Sequence, residues 1–301
     1  MTTFGYTDTM KRYLKPVLAG VLLTATAGAF TWYLQGHPEI IEQLKNVNPF
    51  ILALLIICYV VWFGALAVIL QLSVRMHGKS MSARENILLS AYSSLINFFG
   101  PGQSGPGLRG IYLKKKHGLS IKKYIFATLM YYACYALISA VMLLSGSVAW
   151  WLTVLASGAV VGGCAVILKW YAKRSSLNEG PAFARYIGLI FVVTAVQLAA
   201  QAVIYFIELQ AVSSVSWSQA ISYAGAANFS LFVALTPGAI GIREAFLLFT
   251  QNIHHIGSTV IVAANVIDRA AYLVFLGIMA LGVFGLHADK KLRLRQMTQD
   301  D

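Results

Sequence analysis

Eight apolar stretches divide this chain, and two of them are broken near their middles by proline and glycine. Residues 17–34, 49–70, 124–145, 149–168, 185–207 and 258–285 run uninterrupted, and each approaches the roughly 20 residues that a helix needs to cross about 30 Å of hydrocarbon. The stretches 87–113 and 219–253 instead carry Pro101-Gly102-Gln103-Ser104-Gly105 and Pro237-Gly238-Ala239-Ile240-Gly241. Proline removes a backbone donor and glycine weakens a helix, so unwound backbone survives at membrane depth only where it is buried in protein or lines a watery cavity. The pattern predicts an all-α integral membrane protein with six full transmembrane helices and two re-entrant helix–break–helix hairpins. Paired breaks in the two halves of a chain point to a binding site near the midplane.

Composition agrees, with 58% hydrophobic and 11% charged residues against about 25% charged in soluble domains. The chain reads as a single polytopic membrane domain over 1–301, with cytoplasmic tails at 1–16 and 288–301. The first apolar run lacks a small-residue cleavage site and is expected to be a retained anchor rather than a signal peptide. Of the 23 Lys and Arg, 19 fall in five clusters, at residues 11–15, 75–84, 114–123, 169–185 and 290–295. If both broken stretches re-enter on their own side, every cluster lands on one face, and cationic residues collect on the cytoplasmic one. The net charge of +12 is thereby accounted for without a nucleic-acid partner. Both termini are then cytoplasmic, residues 208–218 are external, and the units 49–145 and 185–285 form an inverted repeat.

Five charged residues lie in or beside the apolar segments: Arg109, Arg243, Glu244, Asp268 and Arg269. Ionisable groups at membrane depth are expensive, face the interior and need partners. Neighbours in sequence do not face one another on a helix, so the pairs must form across helices, Arg243 with Asp268 and Glu244 with Arg269. Two such pairs could fix packing, or they could build a site. Their charges cancel and leave Arg109 in surplus, unless that arginine snorkels to the cytoplasmic surface. Free amides after each break, with a planar guanidinium, would bind phosphate or carboxylate. The substrate-binding set is therefore Arg109, Arg243, Glu244, Asp268 and Arg269, with Pro101, Gly102, Gly105, Pro237, Gly238 and Gly241 as the helix-break backbone.

Other motifs carry less. Gly102-Gln103-Ser104-Gly105 is similar to the G-x-S-G nucleophile motif of rhomboid intramembrane proteases, but the last span offers no histidine as partner base. No catalytic residue is assigned and no enzyme is expected. His77-Gly78-Lys79-Ser80 imitates the end of a phosphate-binding loop without its first glycine or a preceding strand. His254 and His255 are adjacent and do not converge on a metal. They read as helix-end residues. Cys58, Cys134 and Cys164 lie in separate apolar runs and form neither a disulfide framework nor a thiolate site. No cofactor or metal is expected.

The P-G-x-x-G break followed by Arg109, the Lys-rich stretch before His117-Gly118-Leu119-Ser120, and Thr236-Pro237-Gly238-Ala239-Ile240-Gly241-Ile242-Arg243-Glu244 together resemble the transmembrane flippase-like domain of lysylphosphatidylglycerol synthases and its stand-alone relatives. The resemblance covers about residues 10–290. It departs at Gln103, often basic in that family, and at Pro106, usually acidic, so no role carries over to those two positions. The chain is expected to lack the soluble aminoacyl-transferase domain, leaving lipid translocation and not lipid lysylation. What the resemblance implies is a lipid translocase in a bacterial-type inner membrane, moving a phosphate-bearing lipid such as an aminoacyl-phospholipid or a polyprenyl-phosphate-linked headgroup between leaflets. A secondary carrier of a small anion and an intramembrane hydrolase or lipid-glycan transferase stay open as alternatives. Membrane lipid is the expected partner, and a second copy of the chain and a separate lipid-modifying enzyme are further ones.

Overall fold

Asn48 begins the first described helix by accepting the Phe50 N–H at 2.9 Å, with Pro49 in the first turn, where its missing N–H has no intrahelical partner to lose. The computed structural model describes residues 35, 48–99, 104–145, 181–232 and 242–297, with side chains at 35, 48–99, 104–145, 183–232 and 242–285. Their helices are α1 (Pro49–Arg75), α2 (Ala83–Phe99), α3 (Ser104–His117), α4 (Ile121–Leu144), α5 (Pro181–Val212), α6 (Trp217–Ser230), α7 (Ile242–Phe249), α8 (Gln251–His254) and α9 (Ser258–Met297). Two units are distinguished along the chain, Met1–Asn46 and Val47–Asp301, and these helices lie in the second.

Four segments, Pro49–Arg75, Ile121–Leu144, Phe183–Val212 and Ser258–Gly285, are long and apolar enough to cross a bilayer. They match four of the six predicted spans, and the predicted spans 17–34 and 149–168 lie outside the described residues. Large apolar side chains such as Ile57, Val192 and Leu281 are exposed, while Ser90, Ser93, Thr194, Gln197 and Asn228 are buried. That inversion of the soluble pattern is what lipid as the outer solvent requires. The chain is an all-α, multi-pass membrane protein.

Each predicted hairpin is represented by two helices, α2 with α3 and α6 with α7. Pro101, Gly102, Pro237, Gly238 and Gly241, the expected break residues, lie outside the described residues. Gly105 does not belong to the break. It sits buried in the first turn of α3, where an added Cβ would come within 2.6 Å of the Ser93 carbonyl oxygen of α2, so it is glycine because two helix backbones meet there. Gly225 of α6 plays the same part against α4, where a Cβ would collide with the backbone at Leu143. Ala224, Ala226 and Ala227 flank it, all fully buried, and small residues that let backbones approach replace hydrophobic driving force in lipid. A capping box, Ser216 with Gln219, starts α6.

One boundary differs from the sequence reading. The segment 208–218 was expected to be an external loop, but α5 continues to Val212 and Glu208 is only 1% exposed. Packing against α1, α6 and α9 keeps the helix going past its apolar run. The order long helix, two short helices, long helix occurs twice, as α1 to α4 and again as α5 to α9, with the one-turn α8 inserted in the second.

Candidate functional site

Helices α1, α2, α3, α4, α5, α7 and α9 surround a cavity of about 200 Å³. Sequence register explains its lining. On α4, Tyr124, Thr128, Tyr131 and Tyr135 recur at three- and four-residue spacing, which places them on one face. Tyr131, Tyr132 and Tyr135 line the cavity, as do Tyr59 of α1, Tyr205 of α5 and Tyr272 of α9. Their hydroxyls are tied into a polar frame. Tyr131 donates to Gln197 Oε1 at 3.1 Å, Tyr135 to Asn228 Oδ1 at 3.0 Å, and Trp62 Nε1–H to Gln201 Oε1 at 3.0 Å. Gln201 Nε2 in turn donates to the Tyr205 hydroxyl at 3.1 Å.

Into this frame the structure brings four of the five charged residues singled out from the sequence. Arg109, Arg243, Asp268 and Arg269 all line the cavity, and Glu244 lies beside it. The cross-helix pairs are those expected. Arg243 Nη1 is 2.6 Å from Asp268 Oδ2, and Arg269 Nη2 is 3.2 Å from Glu244 Oε1. Tyr59 donates to the other oxygen of Asp268 at 2.6 Å, and the Arg243 guanidinium lies 5.3 Å from the centre of the Tyr205 ring. Arg243, Asp268 and Arg269 are 7%, 5% and 7% exposed.

Arg109 is different. It reaches the Tyr124 hydroxyl and lies near Tyr131 and Tyr132, and no carboxylate among the described residues pairs with it. It borders both the main cavity and a recess of about 20 Å³ beneath it. The snorkelling alternative is thereby set aside, because the side chain turns inward. Buried donors without an acceptor remain on two of the three cavity arginines: Nε of Arg109, and Nε and Nη2 of Arg243. A buried polar atom is normally satisfied. Guanidinium N–H groups left over at a cavity wall are therefore positioned to receive an anion, and bidentate recognition of phosphate or carboxylate is what their planar geometry suits.

Sequence reasoning missed Glu208. It is buried in the same charged cluster as Asp268, Arg243 and Arg269. Assigned to a loop, it was not counted among the membrane-depth charges. The signal was available in register, since Thr194, Gln197, Gln201, Tyr205 and Glu208 form one polar stripe of α5 at helical spacing. Ser104, read as a candidate nucleophile, donates instead to the Ile96 carbonyl at 3.3 Å.

A second charged cluster closes the far end of the first helix pair. Glu85, near the start of α2, accepts from the Tyr112 hydroxyl at 2.7 Å, lies 3.0 Å from Lys116 Nζ, and contacts His117 Nε2 at 2.7 Å. Burial opposes ionisation of Glu85, but the hydrogen bonds from His117, Tyr112 and Lys116 outweigh it and hold the carboxyl down to about 2. These contacts clamp the base of α3 onto α2, with the cavity at the other end of the pair. His254 bonds to the Leu247 carbonyl through Nε2 at 3.0 Å and accepts from the Ile256 N–H, and burial pushes its imidazole below the ordinary range. It tethers the end of α8.

Compared with known proteins, the chain matches the family described as the lysylphosphatidylglycerol synthase TM region over residues 17–280. No curated protein matches it.

Proposed function

The chain belongs to the lysylphosphatidylglycerol synthase transmembrane family, and we propose that it is a lipid translocase, moving the phosphate-bearing headgroup of a membrane lipid between leaflets. One observation carries the reading: Arg109 from α3, and Arg243 and Arg269 from α7 and α9, face a single buried cavity. Three guanidiniums against Asp268 and Glu244 leave one positive charge over. An anionic headgroup neutralises it, and the unused N–H groups of Arg109 and Arg243 supply its hydrogen bonds. The tyrosine frame gives further donors and aromatic faces. A volume of about 200 Å³ suits a headgroup rather than acyl chains, so the chains remain in the bilayer. An aminoacyl-phospholipid and a polyprenyl-phosphate-linked headgroup both fit this chemistry.

The reading carries a topology with it. The helix pairs α2–α3 and α6–α7 are re-entrant hairpins, and the units α1–α4 and α5–α9 form an inverted repeat whose exchange of access moves the headgroup. Both termini face the cytoplasm of a bacterial-type inner membrane. The repeated element order supports this. The hydrogen bond of Ser104 to backbone supports transport over hydrolysis.

The test uses Arg109, because replacing it breaks no ion pair among the described residues. In vesicles of phosphatidylglycerol and phosphatidylcholine containing fluorescent phosphatidylglycerol, Arg109→Gln should slow leaflet exchange about 10- to 100-fold, the equivalent of a charge-assisted hydrogen bond of about 1.5–3 kcal/mol. Lys115→Gln, on the exposed face of α3, should leave it unchanged. Equal rates in the wild type and Arg109→Gln, at matched protein content, would remove the cavity from the transport path.

A further inference from the structure

Phosphate is common to both headgroup classes named above, and they differ in what else they carry. An aminoacyl headgroup adds an ammonium, whereas a sugar or glycerol adds hydroxyls. The cavity wall chooses between the two. Among the described residues, Asp268 is the one carboxylate that lines it, and both of its oxygens are taken, Oδ2 by Arg243 at 2.6 Å and Oδ1 by the Tyr59 hydroxyl at 2.6 Å. Arg109, Arg243 and Arg269 share that wall. An ammonium there meets three guanidiniums and no free carboxylate, and like charges repel strongly where little water screens them. Aromatic rings can also hold a cation, but here they pack against one another, Tyr59 with Phe275 at 5.6 Å between ring centres, Tyr131 with Tyr132 at 5.2 Å and Tyr272 with Phe98 at 5.5 Å.

Helix α2 supplies the other half of the choice. Its share of the lining is uncharged: Ser93, Ser94, Asn97 and Phe98. Ser93 and Ser94 are 0% and 5% exposed, and neither hydroxyl has a hydrogen-bond partner. A serine or threonine on a helix can return its hydroxyl to a carbonyl one turn back, as Ser73 does to Ile69 at 2.8 Å and Thr194 to Ile190 at 2.7 Å. The two α2 serines do not. Asn97, one turn further on, accepts the Gly105 N–H at 3.4 Å through its side-chain oxygen and keeps its amide N–H groups. Buried polar groups are normally satisfied, and a hydroxylated ligand would satisfy these. We infer that Ser93, Ser94 and Asn97 read the uncharged, hydroxyl-bearing part of a phosphate headgroup, of the glycerol or sugar kind, and that the site discriminates against headgroups carrying an ammonium. The arginines hold the phosphate and α2 sorts what hangs from it. A site built to hydrogen-bond a hydroxyl rejects the analogue that lacks it, because its own groups are then left unpaired. The inference rests on the lipid reading above for the ligand's anchor; its chemistry, a hydroxylated phosphate ester, is shared by soluble glycerol phosphate.

Leaflet exchange by the full chain, in phosphatidylcholine vesicles carrying one fluorescent lipid at a time, tests this. The probes share a phosphodiester: phosphatidylglycerol adds hydroxyls, phosphatidylmethanol adds none, and phosphatidylethanolamine adds an ammonium. Above the rate in protein-free vesicles, the wild type should move phosphatidylglycerol about tenfold faster than phosphatidylmethanol, the equivalent of one or two ordinary hydrogen bonds, and phosphatidylethanolamine more slowly still. Equal rates for phosphatidylglycerol and phosphatidylmethanol overturn the hydroxyl recognition, and phosphatidylethanolamine moving as fast as phosphatidylglycerol overturns the discrimination against ammonium; the lipid reading survives both. Ser93→Ala with Ser94→Ala removes the hydroxyls while keeping the small size that the approach of α3 at Gly105 demands, and should abolish the preference for phosphatidylglycerol over phosphatidylmethanol. A double variant that keeps the preference overturns the assignment to these serines, and the wild-type comparisons decide the headgroup class whether or not the variant folds. Labelled glycerol phosphate and methyl phosphate added outside the same vesicles should stay outside. Entry of glycerol phosphate ahead of methyl phosphate, with no lipid exchange, refutes the lipid reading and keeps the hydroxyl recognition. Vesicles that move none of these probes refute both.

Discussion

Removing the Arg243 guanidinium strips Asp268, itself only 5% exposed, of a cation at 2.6 Å. Breaking one partner of a buried pair costs about 3–5 kcal/mol. The Tyr59 hydroxyl still donates to Asp268 at 2.6 Å, which pulls the figure towards the lower end. The lost stacking of Arg243 on Tyr205, worth up to about 2 kcal/mol when desolvated, pushes it back. Arg243→Leu and Asp268→Leu should each lower stability by about 3–5 kcal/mol. The double variant removes both charges and leaves the Tyr59 hydroxyl without its acceptor, a residual penalty of about 1–3 kcal/mol, so it should recover most of the loss. Adding Tyr59→Phe should recover more. Thermal unfolding in detergent reads the stability, and fluorescent-lipid exchange in vesicles reads the function. Stability and transport should separate, because the double variant folds without the ligand for the headgroup. A double variant no more stable than the worse single variant refutes the energetic coupling of the pair. One that folds and transports at the wild-type rate makes the pair a packing device and shrinks the site to Arg109.

The clamp at Glu85 should be sensitive to acid. Its carboxyl is held at about 2 against an ordinary 4.5, a depressed value, so the stabilisation is present above about 4.5 and is lost as pH falls towards about 2; Glu85→Gln should remove that pH dependence in detergent unfolding curves, and an unchanged acid limb would show that the clamp contributes nothing. Gly225→Ala should destabilise the protein by about 1–3 kcal/mol by forcing α6 off the α4 backbone, whereas Gly188→Ala, where a Cβ meets nothing within 4 Å, should be neutral or stabilising by up to about 1 kcal/mol. Equal unfolding midpoints for the two variants would contradict the close approach at Gly225.

The cross-helix pairs were legible because the sequence forbids the alternative. Arg243 and Glu244 are adjacent, as are Asp268 and Arg269, and neighbours on a helix diverge by about 100°, so each charge had to look to another element. The same reasoning left Arg109 without a counter-charge, and the structure turns it towards the cavity among tyrosines. Apolar run length was equally legible where it was unambiguous, in the four spans that the structure describes. Gly105 was misread for a physical reason. A glycine next to proline and glycine reads as part of a break, and a glycine required by helix–helix contact has the same letter. Only the approach of the Ser93 carbonyl separates the two.

Glu208 shows what averaging over a run conceals. One acid at the end of a long apolar helix scarcely lowers its mean hydropathy, so run length alone ends the span before it and assigns the acid to water. Helical register says the opposite. Stepping back from Glu208 by three, four, four and three residues passes Tyr205, Gln201, Gln197 and Thr194, a stripe of hydrogen-bonding groups that lipid could not solvate. A polar stripe on a membrane helix must face protein or cavity, and an acid that continues it belongs inside with it. The tyrosines of α4 obey the same rule, yet tyrosine is equally at home at the lipid–water interface, so composition could not assign them. Glutamate has no such second home within an apolar segment. Its register is the stronger signal, and it places the carboxyl inside the protein with the rest of the stripe before any cavity is known.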